Sequence, residues 1–261
     1  MSVRISCLRG VIMLQDKFVH GYPCAQNAID CFSRLWYSKF PDQFSVSAGD
    51  CKLFCDDRLA WAFSHIQTSY EWDVLELRPL EGGHSYWLEK NTDVRRITSI
   101  EANKLCWLRC LVTKEIVDLK KTQFLLGDFI DYLHTTNRKF DLTLALGVLY
   151  HMEKPLELLS LLAKSSENIL LWTQFAEKEQ IETWKSIEVC FGEFSTVGYV
   201  NDYGKGTSND EFIGGVQSQS IWLTKKGILD ALEFVGFKNI KLGPSGKNQF
   251  GGEVTLVAFK H

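Results

Sequence analysis

Two carboxylates are the first candidates for chemistry in this chain. Glu76 closes the apolar run that starts at Val74, and Glu101 closes a second, about 25 residues on. An acid at the end of a strand, followed by a backbone-rich loop, suits a nucleoside-bearing cofactor. A second acid at this distance suits the ribose hydroxyls of such a cofactor. The loop between them reads RPLEGGH, Arg78 to His84, with a glycine pair at Gly82 and Gly83. Glycine lets a backbone approach a ligand closely, yet bulky Arg78 stands where the first glycine of such a loop is expected. His151 is the candidate general base, because an unperturbed imidazole titrates near neutrality. It follows the apolar run Phe140–Leu146, at the sheet end where α/β ligands sit, and Tyr150 beside it is placed to shape a pocket. A histidine that packs structurally is the competing reading. His84, at a helix start, is a second candidate base. Trp172, Thr173 and Gln174, with Ser218, Gln219, Ser220 and Trp222, are placed to line an acceptor side.

These residues need a scaffold, and the hydrophobic pattern supplies one. From Trp72 a β/α alternation begins. Strands are expected at Val74–Leu77, Arg96–Ile100, Gln123–Leu126, Phe140–Leu146 and Asn168–Thr173. Helices are expected at Gly83–Lys90, at Asn103–Val117 with Leu105, Leu108, Val112 and Ile116 on one side, and after Pro155, a residue favoured at the first helical position. Regular alternation predicts a parallel, doubly wound α/β sheet. Leu223–Val235 reads as a helix ended by Gly236. Phe237–Leu242 and Val254–Phe259 read as strands joined by a loop too short for a helical crossover, so they should pair antiparallel.

Residues 1–72 read as an N-terminal helical extension, with helices at Ala25–Tyr37, stopped by Pro41, and from about Asp56 to Gln67, capped by Asp56 or Asp57. Residues 73–261 read as the main domain. Its segment at about 176–219 breaks the rhythm. It is polar and Gly-rich, with aromatics at Trp184, Phe191, Phe194, Tyr199, Tyr203 and Phe212. Either a lid over the open end of the sheet or a surface excursion with its own small core fits it.

Composition narrows the function classes. The chain has 261 residues, 45% hydrophobic and 23% charged, as a soluble globular protein would. A net charge of −3 lacks the basic footprint of a nucleic-acid binder. No apolar run approaches the about 18 residues of a membrane span. The cluster Val11–Leu14 is too short for a signal-peptide core, so a cytoplasmic location is expected. The eight cysteines then read as thiols. Cys51/Cys55 and Cys106/Cys110 share an i, i+4 spacing that zinc could use. Without a CxxC pair, buried thiols are the better reading and no metal is expected.

Four segments in order carry a family resemblance. VLELRPLEGGH (Val74–His84) resembles the cofactor loop ExGxGxG. SIEAN (Ser99–Asn103) resembles the acid after the second strand. LLGDF (Leu125–Phe129) resembles the adenine-contacting segment. FDLTLALGVLYHMEKPLELL (Phe140–Leu159) is similar to the fourth-strand segment of the class I S-adenosylmethionine (SAM)-dependent methyltransferases. PxAQNAID at Pro23–Asp30 and LFxDxRxxW at Leu53–Trp61 resemble one bacterial subgroup of them. The resemblance implies a seven-stranded, mostly parallel sheet with an antiparallel C-terminal strand, SAM as cofactor, and methyl transfer to an O or N atom of a small-molecule or sugar-like acceptor. It places cofactor contacts at Glu76, Arg78, Pro79, Leu80, Gly82, Gly83, Glu101, Ala102, Asp128, Phe129, Leu146 and Gly147. By this likeness Glu76 anchors the loop or meets the methionine ammonium, and Glu101 takes the ribose diol. Asp128 takes the adenine amine against an apolar wall from Phe129, and Leu146 and Gly147 border the sulfonium. His151 and Tyr150 take the catalytic side. Arg78 in place of glycine leaves a catalytically silent SAM-fold binding protein as one alternative. GVLYH also resembles an enzyme that carboxymethylates a tRNA wobble uridine with a carboxylated SAM, so an RNA-modifying transferase is another.

Overall fold

The computed structural model describes residues 18–203, 217–248 and 250–261. Cys7, Val11–Leu14 and Phe212 lie outside the described residues. A seven-stranded sheet forms the centre. Its strands are β1 (Asp73–Leu77), β2 (Arg96–Glu101), β3 (Thr122–Leu126), β4 (Phe140–Leu146), β5 (Ser166–Phe175) and a terminal pair. Order across the sheet is β3-β2-β1-β4-β5, then the last strand, then the penultimate one. The first five run parallel, and the last pairs antiparallel with β5. All five residues of β1 are buried, as a strand covered on both faces requires.

Between the strands lie α3 (Gly83–Asn91), α4 (Lys104–Val117), α5 (Phe129–Thr135) and α6 (Pro155–Ser165). Asn103 caps α4 through its side chain, accepting from the N–H groups of Leu105 and Cys106. Pro155 opens α6, whose leucines 156, 158, 159, 161 and 162 are all buried. A helix with so broad an apolar face must be covered on more than one side, and α6 packs against β5 of the main sheet and against a second, smaller sheet.

That second sheet occupies the segment that broke the rhythm. After β5 comes α7 (Lys178–Thr183), then β6 (Ser186–Phe191), β7 (Phe194–Asp202) and β8 (Gln219–Leu223), antiparallel in the order β6-β7-β8. It has a small core of Ala176, Tyr199 and Trp222, packed by Trp184 and by Tyr150 from the main domain. The Ile221 N–H donates to the Met152 carbonyl at 2.8 Å, tying β8 to the loop after β4.

Four expectations need correction. The first N-terminal helix, α1, is Ala25–Asp30 only. Turns follow it, and Arg34 takes a φ of 66°, which a continuing helix cannot contain. The second, α2, is Asp57–Phe63, capped by Asp56. In α4 the buried face is Cys106, Arg109, Cys110, Thr113 and Val117, while Leu108 is exposed. A buried ion pair at Arg109, described below, turns the helix that way. The terminal hairpin, which follows helix α8 (Lys225–Phe234), is longer than expected, with β9 at Asn239–Asn248 and β10 at Gly251–Phe259. The Gly-rich stretch read as loop is mostly strand. Gly243 and Gly252 pass so close to the rings of Trp61 and Phe175 that a Cβ would sit within 2.6 Å of them.

Candidate functional site

The carboxyl ends of β1, β4 and β5 open onto a cavity of about 270 Å³, near the lower end for ligand pockets. Arg78, Pro79, Leu80 and Gly83 line it from the loop after β1. Leu146, Gly147, Tyr150 and His151 come from the end of β4, and Trp172 and Gln174 from β5. The second sheet adds Asn201, Tyr203 and Trp222, the terminal hairpin adds Asn248 and Phe250, the N-terminal segment adds Leu53 and Arg58, and the start of α3 adds His84. Glu76, Gly82, Glu101, Ala102, Asp128, Phe129 and Thr173 do not line this cavity. The expected site residues thus fall into two groups, one around the cavity and one set back from it, on β1 and its loop, on β5 and at the tips of β2 and β3.

The loop after β1 keeps a glycine-like backbone despite its sequence. Arg78 and Leu80 have φ of 55° and 57°, and Gly82 has 80°. Left-handed backbone costs a non-glycine residue about 1–2 kcal/mol. The Arg78 side chain crosses to the next loop, where its Nη1 donates to the Gly147 carbonyl at 3.0 Å. Gly147 is itself left-handed, with the Trp172 ring 3.5 Å from where a Cβ would stand. Gly83 answers a packing demand, since a Cβ there would meet the Leu53 backbone at 2.9 Å.

Buried carboxylates surround this loop. Glu76 is 1% exposed and accepts hydrogen bonds at Oε2 from Ser99, at 2.8 Å, and from Ser85. Its Oε1 is buried with no hydrogen-bond partner among the described residues, and His84 Nδ1 stands 3.7 Å from it. Glu101 accepts from the Asn103 N–H at 2.8 Å and the Leu80 N–H at 3.3 Å. Burial raises its pKa, opposed by those bonds and by the charge of Arg78. Asp128 is exposed and caps α5 by accepting from the Ile130 N–H. Glu81 is fully buried, ion-paired to Arg109 at 3.1 Å and accepting from the Tyr37 and Ser38 N–H groups. It ties the N-terminal segment to the loop.

His151 is 7% exposed. Its Nδ1 lies 3.1 Å from the Tyr203 hydroxyl, which lies 2.8 Å from Ser220 Oγ. Its Nε2 is buried without a hydrogen-bond partner among the described residues. Burial, and then the charge of Arg78, push its pKa well below the ordinary imidazole value. It is therefore neutral at physiological pH, the form a base needs. Tyr150 is pushed up to about 12 by burial, against the opposing charge of Arg78, and stays a phenol. His84 directs Nε2 at Asp56, 3.0 Å away. Against the upward push of burial, His84 and Arg58 hold the Asp56 carboxyl well below its usual range. Arg58 lies over the Trp172 ring, 4.6 Å from its centroid.

Gln219 turns away to Glu153, and Ser220 is held by Tyr203, so of the four residues before α8 only Trp222 reaches the cavity. The sequence reading missed Arg58, Asn201, Tyr203, Asn248, Phe250 and Glu81 as contributors. Arg58 stands inside the LFxDxRxxW match, and Tyr203 among the counted aromatics, so both carried a signal that was given no role. Cys106 and Cys110 are buried while Cys51 and Cys55 are exposed. Among the described residues no three metal-ligating side chains gather, and no helix is long and apolar enough to cross a membrane.

No protein-family profile and no curated protein matches this sequence. Solved structures do match its shape. The N-terminal domain of EvdMO1 with SAH bound is 18% identical, with a TM-score of 0.71 over 90% of this chain and 95% of that one. The fold is that of the class I methyltransferases. The same EvdMO1 domain is also known in the presence of SAH and D-fucose. Magnesium protoporphyrin IX methyltransferase from Synechocystis PCC 6803, with bound SAH, is 14% identical, with a TM-score of 0.51 over 78% of this chain and 81% of that one. A SAM-dependent methyltransferase from Clostridium acetobutylicum is 11% identical, with a TM-score of 0.51 over 80% and 92%. In this class I scaffold the two groups of site residues lie along one edge, the carboxyl ends of β1, β2, β3, β4 and β5.

Proposed function

We propose that this chain is a SAM-dependent methyltransferase acting on an O or N atom of a small-molecule acceptor. The observation that carries the reading is His151, a buried neutral imidazole with its Nε2 open, beside the loop after β1. The residues present fit SAM. Its ammonium and sulfonium are cationic, and the loop after β1 is ringed by the buried carboxylates Glu76, Glu81 and Glu101. Of these, Glu81 is matched by Arg109, while Glu76 Oε1 has no hydrogen-bond partner among the described residues and could accept from an N–H donor. A carboxylate has about four lone-pair sites, so Glu101 can still accept from a ribose diol beside its bonds from the backbone of Leu80, Ala102 and Asn103. In this reading Asp128 and Phe129 take the adenine.

Bound SAM supplies a methyl group already activated by its sulfonium. The chain's own task is then to hold the acceptor in line and take its proton. Aromatic walls from Tyr150, Trp172 and Trp222, with amides from Gln174, Asn201 and Asn248, suit a ring carrying hydroxyls. D-fucose in the EvdMO1 domain agrees with a sugar-like acceptor. The second sheet, which supplies Asn201, Tyr203 and Trp222, acts as the cover of the site. Assignment to the bacterial subgroup rests on the Pro23–Asp30 and Leu53–Trp61 segments.

Titration calorimetry with SAM and SAH tests the reading. Binding in the micromolar range is expected for both. No heat of binding at millimolar SAM, with the chain folded, refutes it.

A further inference from the structure

We propose that Tyr203, delivered from the end of β7, is the positioning residue that makes His151 a base; the proposal rests on the methyltransferase reading above. Three groups form a chain: Ser220 Oγ, the Tyr203 hydroxyl and His151 Nδ1, spaced 2.8 and 3.1 Å apart. Ser220 is fully buried and His151 nearly so. Asn201 also hydrogen-bonds Tyr203 through its side chain, and the Tyr203 N–H donates to the Ser218 carbonyl at 3.1 Å. The phenol is held from both its backbone and its hydroxyl.

Which ring nitrogen of a histidine carries the proton is set by the bond the other one makes. In the proposed arrangement the Tyr203 proton goes to Ser220 Oγ, and the Tyr203 oxygen accepts the Nδ1 proton of His151. Nε2 is then left with its lone pair, on the atom that is buried and without a partner among the described residues. A buried polar atom left open calls for an explanation, and an incoming acceptor O–H or N–H supplies one. The acceptor proton passes to Nε2 while the bonding electrons stay on the acceptor atom. The resulting imidazolium keeps its Nδ1–H on Tyr203. The same oxygen serves both forms of the ring, so no reorganisation accompanies the transfer.

The experiment is a long-range ¹H–¹⁵N correlation on the full chain labelled at histidine, at pH 7.5, with His151→Gln used to assign the signals. The expected wild-type result is a protonated Nδ1 and a bare Nε2. Tyr203→Phe removes the acceptor and should shift the tautomer ratio at least tenfold toward Nε2–H. Ser220→Ala keeps the phenol and should leave Nδ1–H in the majority. A wild-type ring protonated at Nε2 overturns the proposal, and so does a folded Tyr203→Phe with an unchanged tautomer. Should Tyr203→Phe not fold, the wild-type and Ser220→Ala spectra still decide. SAM calorimetry on the same samples separates the two levels, since loss of wild-type binding overturns the function and leaves the tautomer result standing.

Discussion

Glu81→Gln removes the charge on which the loop after β1 depends. Glu81 and Arg109 are both fully buried, 3.1 Å apart. At an effective dielectric of about 20, two unit charges about 4 Å apart attract by about 4 kcal/mol. Breaking a buried pair from one side costs about 3–5 kcal/mol, because the remaining charge stays in place uncompensated. Glutamine keeps one oxygen for the Tyr37 and Ser38 N–H groups, which trims the loss. The expected destabilisation is about 3 kcal/mol. In a chain of this size that lowers Tm by roughly 6–12 °C. Urea unfolding followed by far-UV circular dichroism measures it. A double variant, Glu81→Leu with Arg109→Met, should be less damaging than the sum of the single changes, because neither charge is then left alone. A loss below 1 kcal/mol for Glu81→Gln, or strict additivity in the double variant, refutes the reasoning.

Three further outcomes are expected. His151→Ala should cut turnover at least tenfold with SAM affinity nearly intact; unchanged turnover removes the base role. For stability against pH, the folded pKa of His151 lies well below its unfolded value near 6.5. Above pH 6.5 the ring is neutral in both states and contributes no slope. Below it only the unfolded chain takes the proton, so stability falls with pH by up to about 1.4 kcal/mol per unit. Urea titrations at pH 7.5, 6.5 and 5.5 should show that slope reduced in His151→Gln, and parallel curves count against the buried-neutral assignment. Arg78→Gly should relieve about 1 kcal/mol of left-handed strain and lose a bond to Gly147 of about 1 kcal/mol, leaving stability nearly level. It should also raise the His151 titration midpoint, because a neighbouring cation is gone; a fall would contradict the placement.

The strands were legible because β1, β2, β4 and β5 are buried on both faces, so each reads as an apolar run, and acids close the runs of β1 and β2. The face of α4 was not legible. Periodicity favours burying Leu105 and Leu108, but Arg109 is held inside by Glu81, an ion pair between residues 28 positions apart that no local pattern reveals. Half of the candidate site was legible for the same reason as the strands: Arg78, Leu80, Gly147, Tyr150 and His151 sit just past strand ends, where the topology must gather them. Tyr203, Asn201 and Asn248 come from strands with one solvated face. Their weak alternation among glycines and polar residues resembles that of a loop, so their contribution emerges only when the second sheet and the hairpin are folded against the mouth of the cavity.

Arg78 shows why a missing motif residue need not mean a missing site. The motif asks for glycine because the backbone must turn left-handed there, and the backbone at 78 does turn left-handed, at φ 55°. What changes is the space above it. The guanidinium now spans from the β1 loop to the Gly147 carbonyl, beside His151 and Glu101. Its charge lowers the pKa of both, favouring the neutral imidazole and the ionised carboxylate. A base needs the first and a ribose diol needs the second. One cation placed between them therefore adds to the effect of burial at His151 and opposes it at Glu101, whose pKa burial still raises, at the cost of about 1–2 kcal/mol of backbone strain.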